Sequence, residues 1–309
     1  MGTKWPHNKK FAFTIVDDTE GGTVSNLKPI YDLFYDKGLK TTKTVWVYPP
    51  RDKFTGESLA DRVYYDFISE LDERGFEIAL HNVGSGDFSR EEIRSGLKLF
   101  NQTMGFYPIM QINHASNLDN LYWGIERYTK ILQYIMTLLY GSRRKYYGTD
   151  PSSKYFWGDM SKRYIKYIRN HTFNGINTLK YDPKMPYKVS DKEAYSNYWF
   201  SSSDGDTVDE FTELISPRNV LKLEKENGLC IVYTHLAKGF VDKNGQINSR
   251  FKSHIDFLSQ REGWFVPAGE ILEFLNKASP ERYASQSYLF KLDVRWAFER
   301  IWKKIKYGR

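Results

Sequence analysis

Cysteine is almost missing: Cys230 is the only one in 309 residues. No disulfide can therefore form within the chain, and no thiolate zinc site can be assembled from it. Cys230 itself lies in an apolar, strand-like run and reads as core. Long apolar stretches are missing too. The most apolar helical segment, Leu121–Tyr140, is interrupted by Glu126, Arg127 and Lys130, so no transmembrane helix is expected. The opening MGTKWPHNKK is polar and runs directly into the first strand, without the apolar segment of a secretory leader. The expectation is a cytoplasmic protein. No internal repeat or low-complexity tract is present.

The chain is instead rich in aromatics, at 17%, with Tyr 23, Trp 8 and Phe 20. With 40% hydrophobic residues they can fill a large core, and a Tyr/Trp excess also suits a groove that stacks on sugar rings or bases. Sugar is the preferred reading. The net charge of +7 allows an anionic partner but says nothing about fold. Part of it is clustered, in Arg143, Arg144 and Lys145 and in the terminal run Arg295–Arg309. Such runs read as solvated faces, or as contacts to a membrane surface or a polyanionic glycan. No nucleic-acid recognition motif accompanies them, and no nucleic-acid partner is expected.

Apolar strands and amphipathic helices alternate along the chain. Phe11–Val16 is a buried-strand pattern ending on Asp17 and Asp18. Thr23–Gly38 reads as a helix, Thr41–Tyr48 as a strand and Ser58–Arg74 as a helix. Phe76–Leu80 is the third strand, and it ends on His81. Ser89 with Glu92 forms a capping-box pattern opening the helix Arg90–Met104. Ile109–Ile112 is a fourth strand, ending on Asn113 and His114. Leu121–Asn170 is Tyr-rich and reads as helical, with a loop at Gly141–Lys154 and a second helix at Tyr155–Asn170 bearing Arg163 and Arg169. Strand patterns return at Gly175–Leu179, Tyr195–Phe200 and Leu229–Tyr233, the last delivering Thr234 and His235. Helices follow at Phe211–Glu226, Phe251–Arg261 and Pro267–Lys277, with a short strand at Trp264–Val266. About seven or eight such units close a barrel. The reading is one α/β barrel over residues 1–278, with a helical insertion around 121–170 and a basic amphipathic helix within 279–309.

In such barrels the C-terminal strand ends hold the chemistry. Here three strands place Asp17/Asp18, His81 and His114 at those ends, and a later strand adds His235. A single Asp or His at such a position is usually a turn or core residue, whereas convergent titratable groups mark function. Two imidazoles and a carboxylate suffice for Zn²⁺ with an open position, and the same set holds Fe²⁺, Mn²⁺, Co²⁺ or Ni²⁺.

The ordered motifs resemble those of the polysaccharide deacetylase family, the fourth carbohydrate esterase family. FTIVDDTEGG looks like its first motif, EIALHNVGSGDFS its histidine motif and IVYTHL its last. The resemblance spans about residues 11–275. It implies a distorted TIM-like (β/α)7–8 barrel that removes N-acetyl groups from amino sugars with a divalent metal, most readily Zn²⁺. It further implies Asp17 as base, Asp18 and His81 as metal ligands, and His235 as the acid that protonates the leaving amine. The family's second motif histidine falls on Ser85, a poor ligand, and its Arg-Pro-Pro-Tyr segment is replaced by QINHASN. His114 is therefore expected as the third ligand. Asn113, Trp123, Arg163 and Asp204 are the candidate substrate contacts, and Asp204 or Asp206 corresponds loosely to the family's fourth motif.

The implied partner is an N-acetylated sugar, glycan or sugar precursor, plausibly in polysaccharide biosynthesis. The alternative is a non-catalytic glycan-binding relative. An aspartyl-phosphate enzyme also opens on an apolar strand and Asp, but it needs a second Asp where this chain has Thr19. The terminal helix Ser287–Tyr307 alternates apolar and basic residues, which suits peripheral contact with anionic lipid, or a packing helix or oligomer contact.

Overall fold

A computed structural model describes residues 4–140 and 146–307. Eight strands run in chain order: β1 Phe11–Asp17, β2 Thr42–Val45, β3 Glu77–Leu80, β4 Met110–Gln111, β5 Tyr167–Phe173, β6 Tyr198–Asp204, β7 Leu229–Thr234 and β8 Gly263–Trp264. Every pairing between them is parallel. β1 pairs with both β2 and β7, so β1 to β7 close a seven-stranded barrel, and β8 pairs with the start of β1 outside the ring. The expected α/β barrel is the observed fold.

Helices surround the ring: α1 Val24–Asp36, α2 Arg62–Glu73, α3 Arg90–Met104, α4 Lys130–Tyr140, α5 Gly158–Tyr164, α6 Thr178–Tyr181, α7 Val208–Leu214, α8 Pro217–Lys225, α9 Ser249–Ser259, α10 Ala268–Ala278 and α11 Gln286–Tyr307. α3 begins with the expected capping box of Ser89 and Glu92, and Gly105 ends it in the left-handed conformation at φ 81°. The expected helix at Phe211–Glu226 is two helices, because Pro217 removes an N–H donor and begins a new helix after Ser216.

Two readings of the middle of the chain are corrected. Tyr155–Asn170 is not one helix: α5 ends at Tyr164, and Tyr167–Phe173 is the fully buried strand β5. Gly175–Leu179 is not a strand, and α6 occupies Thr178–Tyr181. The sequence YIRNHTF carries two charged or imidazole side chains among its apolar ones, which hides a strand buried on both faces. The expected loop at Gly141–Lys154 falls partly outside the described residues.

The C-terminal helix packs on the barrel. Leu289, Leu292 and Asp293 are buried against it. Its basic residues do not all face outward: Lys303 pairs with Asp204 at 3.0 Å and Glu210 at 2.9 Å, and Arg300 with Asp204 at 3.2 Å. Phe298, Ile301, Trp302 and Ile305 form its exposed side. No helix among the described residues is long and apolar enough to cross a membrane.

Adjacent residues on a strand point to opposite sides, and this separates the two aspartates at the end of β1. Asp17 turns into the wall between β1, β2 and α1. Its carboxylate lies 2.8 Å from Lys43 Nζ, its register partner on β2, with both side chains fully buried. Tyr31 O–H donates to it at 3.1 Å and the Leu236 N–H at 2.9 Å. Removing one partner of such a pair leaves an uncompensated buried charge, at a cost of about 3–5 kcal/mol. Lys43→Met should lower the urea-unfolding free energy by about that amount, and the double variant Asp17→Leu/Lys43→Met should recover most of the loss. A Lys43→Met protein as stable as the parent would remove the pair from the account of the fold.

Candidate active site

Beyond Asp17 the chain leaves β1 through Asp18, Thr19 and Glu20, all buried. Asp18 faces the barrel mouth, where Arg169 of β5 grips it with two N–H···O bonds of 2.9 and 2.5 Å. This is the bidentate fork in which guanidinium and carboxylate bind most strongly. Asp18 N–H also donates to the Thr234 carbonyl at 2.8 Å, tying the turn to the end of β7.

Glu20 is the centre of the site. Its Oε1 lies 3.1 Å from His81 Nε2 and 3.3 Å from His114 Nε2, and its Oε2 lies 3.3 Å from His235 Nε2. The three imidazoles come from the ends of β3, β4 and β7. The structure thus brings His81, His114 and His235 together, as expected, but around Glu20, which the sequence reading did not single out. Glu20, His81 and His114 each offer a donor atom within 4.8 Å of the others, as do Asp18, Glu20 and His235.

The outer nitrogens of the histidines fix how they present themselves. His81 Nδ1 is 3.0 Å from the Ile112 carbonyl, and His114 Nδ1 is 3.0 Å from Asn117 Oδ1. A carbonyl oxygen can only accept, so each Nδ1 carries a proton, and in the neutral imidazole Nε2 then presents its lone pair towards Glu20. His114 Nε2 has no hydrogen-bond partner within the described residues. Metal-binding histidines carry this outer hydrogen bond almost without exception. One carboxylate and two such imidazoles fit a divalent transition-metal ion. Ser85 is not among them: it donates to Asp52 at 2.7 Å.

His235 is held differently. Its Nδ1 donates to Asp206 at 2.6 Å, and Lys238 donates to the same Asp206 oxygen at 2.9 Å. Burial alone would depress its pKa, but hydrogen bonds to Asp206 and Glu20 and the charge of Glu20 push it up to about 10. Burial would likewise raise Glu20, yet protonated His81 and His235 would hold it well below the usual carboxylate range. His114 shifts downward, through burial and the neighbouring His81.

A polar brace sets the histidine loops. Asn82, in the left-handed region at φ 50°, accepts from the His114 N–H and from Gln111, each at 2.9 Å, and donates to buried Asp119 at 2.6 Å. Asn tolerates that backbone conformation better than most residues. Asn113 exchanges hydrogen bonds with the backbone of Leu121, at 2.9 and 3.0 Å, and so positions the next loop.

Asp18, Glu20, His81, Asn113, Asp206 and His235 line a cleft of about 430 Å³ with Phe54, Trp123, Tyr233 and Trp296, within the size range of small-ligand sites, and His114 lies buried behind it. Of the expected substrate contacts, Asn113 and Trp123 lie in it. Arg163 does not: it borders a separate groove with Tyr107 and Tyr164. Asp204 does not either, being buried under Arg300 and Lys303, and Asp206 takes the place beside His235. Arg169 was hidden by its misread element, but Glu20 had a local signal, a third acid two residues past an Asp pair at a strand end.

No protein-family model matches the sequence, and no curated protein is similar to it. Solved structures do match in fold. A protein assigned as a polysaccharide deacetylase in Mycobacterium smegmatis superposes with a TM-score of 0.54 at 10% identity, over 92% of this chain and 96% of that one. The chain has the polysaccharide deacetylase fold. A second such protein, from Pseudomonas aeruginosa PAO1, gives 0.53 at 11% identity over 91% and 96% of the two chains. The allantoinase PuuE gives 0.55 at 12% identity over 91% and 95%.

Asp119 offers a test of the loop brace. Burial raises its pKa to about 7, against the hydrogen bonds from Asn82 and Phe88 that lower it. The folded state therefore binds this proton more tightly than the unfolded state. Its contribution to stability is full below about pH 4 and is lost as pH rises towards 7. Asp119→Asn cannot titrate, so the difference in melting temperature, parent minus variant, should fall from pH 4 to pH 7. A pH-independent difference would mean that Asp119 is already ionised in the folded protein.

Proposed function

We propose that the chain is a metal-dependent hydrolase that removes an N-acetyl group from an amino sugar or glycan. The observation that carries the reading is the convergence of His81 and His114 on Glu20, with both outer N–H groups tied to carbonyl oxygens. We assign Glu20, His81 and His114 as the ligands. A divalent ion held there would act as a Lewis acid towards an amide carbonyl. The fold does not itself select a sugar, since an allantoinase shares it. The aromatic walls of the cleft favour one.

The remaining roles follow from which groups face the cleft. Asp17 is locked against Lys43, Tyr31 and the Leu236 amide below the cleft, so it is a poor base. Asp18 lines the cleft beside Glu20 and His235, and we assign it to take a proton from the attacking water. Its Arg169 partner orients it. His235, kept protonated by Asp206 and Glu20, is placed to give a proton to the departing amine, which leaves only when protonated. This reading moves the base from Asp17 to Asp18 and the carboxylate ligand from Asp18 to Glu20.

Free-acetate release from N-acetylhexosamine oligomers, nucleotide sugars and lipid-linked sugars tests the activity. Metal content and turnover of purified, folded variants test the roles. Glu20→Gln, His81→Ala and His114→Ala should each lose most of the metal, whereas Ser85→Ala should keep it. Asp18→Asn should keep the metal and lose about 10²–10⁴ in kcat, the usual worth of a general base. Asp17→Asn should lose stability with much smaller loss of kcat in the folded protein. The reverse ranking of Asp17 and Asp18 would restore the base to Asp17. No acetate from any substrate, with metal bound, would favour the non-catalytic glycan-binding reading.

A further inference from the structure

The charges lining the cleft do not cancel at one end. Arg169 is matched by Asp18, Lys238 by Asp206, and Arg300 by Asp204. Arg127 is matched by no carboxylate among the described residues. It lies in the turn between β4 and α4, and its residue surface is only 7% exposed. Its guanidinium sits 4.4 Å from the Trp123 ring centre and 4.6 Å from that of Trp296. It donates to the Asn170 carbonyl, but no carboxylate among the described residues lies within ion-pair distance of it. The nearby Asp293 is occupied, accepting from His171 at 3.1 Å and from the Thr129 N–H at 2.8 Å. Arg127 Nε and Trp296 Nε1 are both buried donors without an acceptor among the described residues.

A buried guanidinium without a counter-charge is costly, and buried N–H groups are nearly always paired. Both orphaned donors belong to residues that line the same cleft as the Glu20 cluster, and Arg300 lines it with them. Their donors come from two separate elements, the β4–α4 turn and α11. Donors from separate directions suit a tetrahedral oxyanion better than a planar carboxylate, which is usually met by one fork. We propose that the Arg127–Trp296 end of the cleft binds the phosphate group of a phosphorylated amino sugar. The two aromatic rings hold the guanidinium in place at the wall of the cleft. The sugar class rests on the deacetylase reading, but the anion site does not.

Binding is therefore measured apart from turnover, by calorimetry and by quenching of tryptophan fluorescence. The probes are inorganic phosphate, acetate, N-acetylglucosamine and N-acetylglucosamine 1-phosphate. The sugar phosphate should bind at least about tenfold more tightly than the neutral sugar, as expected for a charge-assisted contact. Arg127→Met should abolish that preference, and Trp296→Phe, which keeps the ring and loses the N–H, should weaken it several-fold. Phosphate should raise the melting temperature of the parent protein but not of Arg127→Met. If Arg127→Met fails to fold, Trp296→Phe and the phosphate dependence of parent melting still decide. Equal binding of sugar and sugar phosphate, acetate binding as tightly as phosphate, or an unchanged preference in both variants would overturn the proposal. The source is read from UDP-N-acetylglucosamine in solution against a polyprenyl-diphosphate N-acetylglucosamine in vesicles: binding of either supports the site, and binding of neither overturns it. Phosphate binding without acetate release from any substrate would sink the deacetylase reading and leave this one. Acetate release from neutral oligomers without phosphate binding would do the opposite.

Discussion

Everything at the mouth of the barrel depends on one buried carboxylate. Glu20 meets imidazoles from three strand ends, each of them also held from behind by another group. Two of them, His81 and His114, are fixed with lone pairs inward by the carbonyl oxygens behind them. Inward lone pairs facing a carboxylate oxygen repel unless a cation or a proton lies between them. The protein therefore builds an electron-rich cup that a divalent ion would relieve. His235, the third, takes the opposite course. Asp206 behind it and Glu20 before it both favour its protonated form. One carboxylate thus faces two kinds of imidazole, and the difference lies in what stands on the far side of each ring.

The alternation of a β-strand accounts for the division of labour among the acids. Asp17, Asp18 and Glu20 lie within four residues, yet they meet three environments: a lysine in the wall, an arginine at the mouth and the histidine cluster. Asp17 completes the seam between β1 and β2, so the first strand is pinned just below the point where its chemistry begins. Arg169 reaches Asp18 from β5 on another part of the ring, and its face also lies 4.5 Å from the Tyr233 ring on β7. The site is preorganised by ion pairs that each have one partner in the barrel wall.

How much of this could be read from sequence follows from the range of each signal. The barrel was legible, because apolar strands and amphipathic helices alternate with clear stops, and strand ends are marked by the residues that break the apolar run. His81, His114 and His235 were legible for the same reason. Glu20 was not singled out, since an acid followed by two glycines reads as turn chemistry, and only the tertiary fold shows that three histidines reach it. Arg169 was missed because YIRNHTF has its charges inside a strand covered on both sides, where periodicity gives no cue. The choice between Asp17 and Asp18 turned on which side of the strand faced the cleft, and pattern alone does not tell which of two adjacent acids faces in. Arg163 carried no signal beyond charge and borders another groove, and the loose motif match that pointed to Asp204 or Asp206 did not tell which of the two reaches the site.

The C-terminal helix shows why this chain needs more than its ring of strands. Trp296 and Arg300 line the cleft from α11, and Asp293 on the same helix binds His171 of β5 and the backbone before α4. The basic residues that looked like a solvated stripe in sequence are therefore partly structural: Lys303 and Arg300 clamp the helix to Asp204 and Glu210. That clamp holds Asp204 beneath α11, away from the cleft. With Asp18 held by Arg169, Asp206 by Lys238 and Asp293 by His171, no carboxylate among the described residues lies within ion-pair distance of Arg127. The cleft is left with an electron-rich cup at the strand ends and a cationic, aromatic wall supplied by the β4–α4 turn and the last helix.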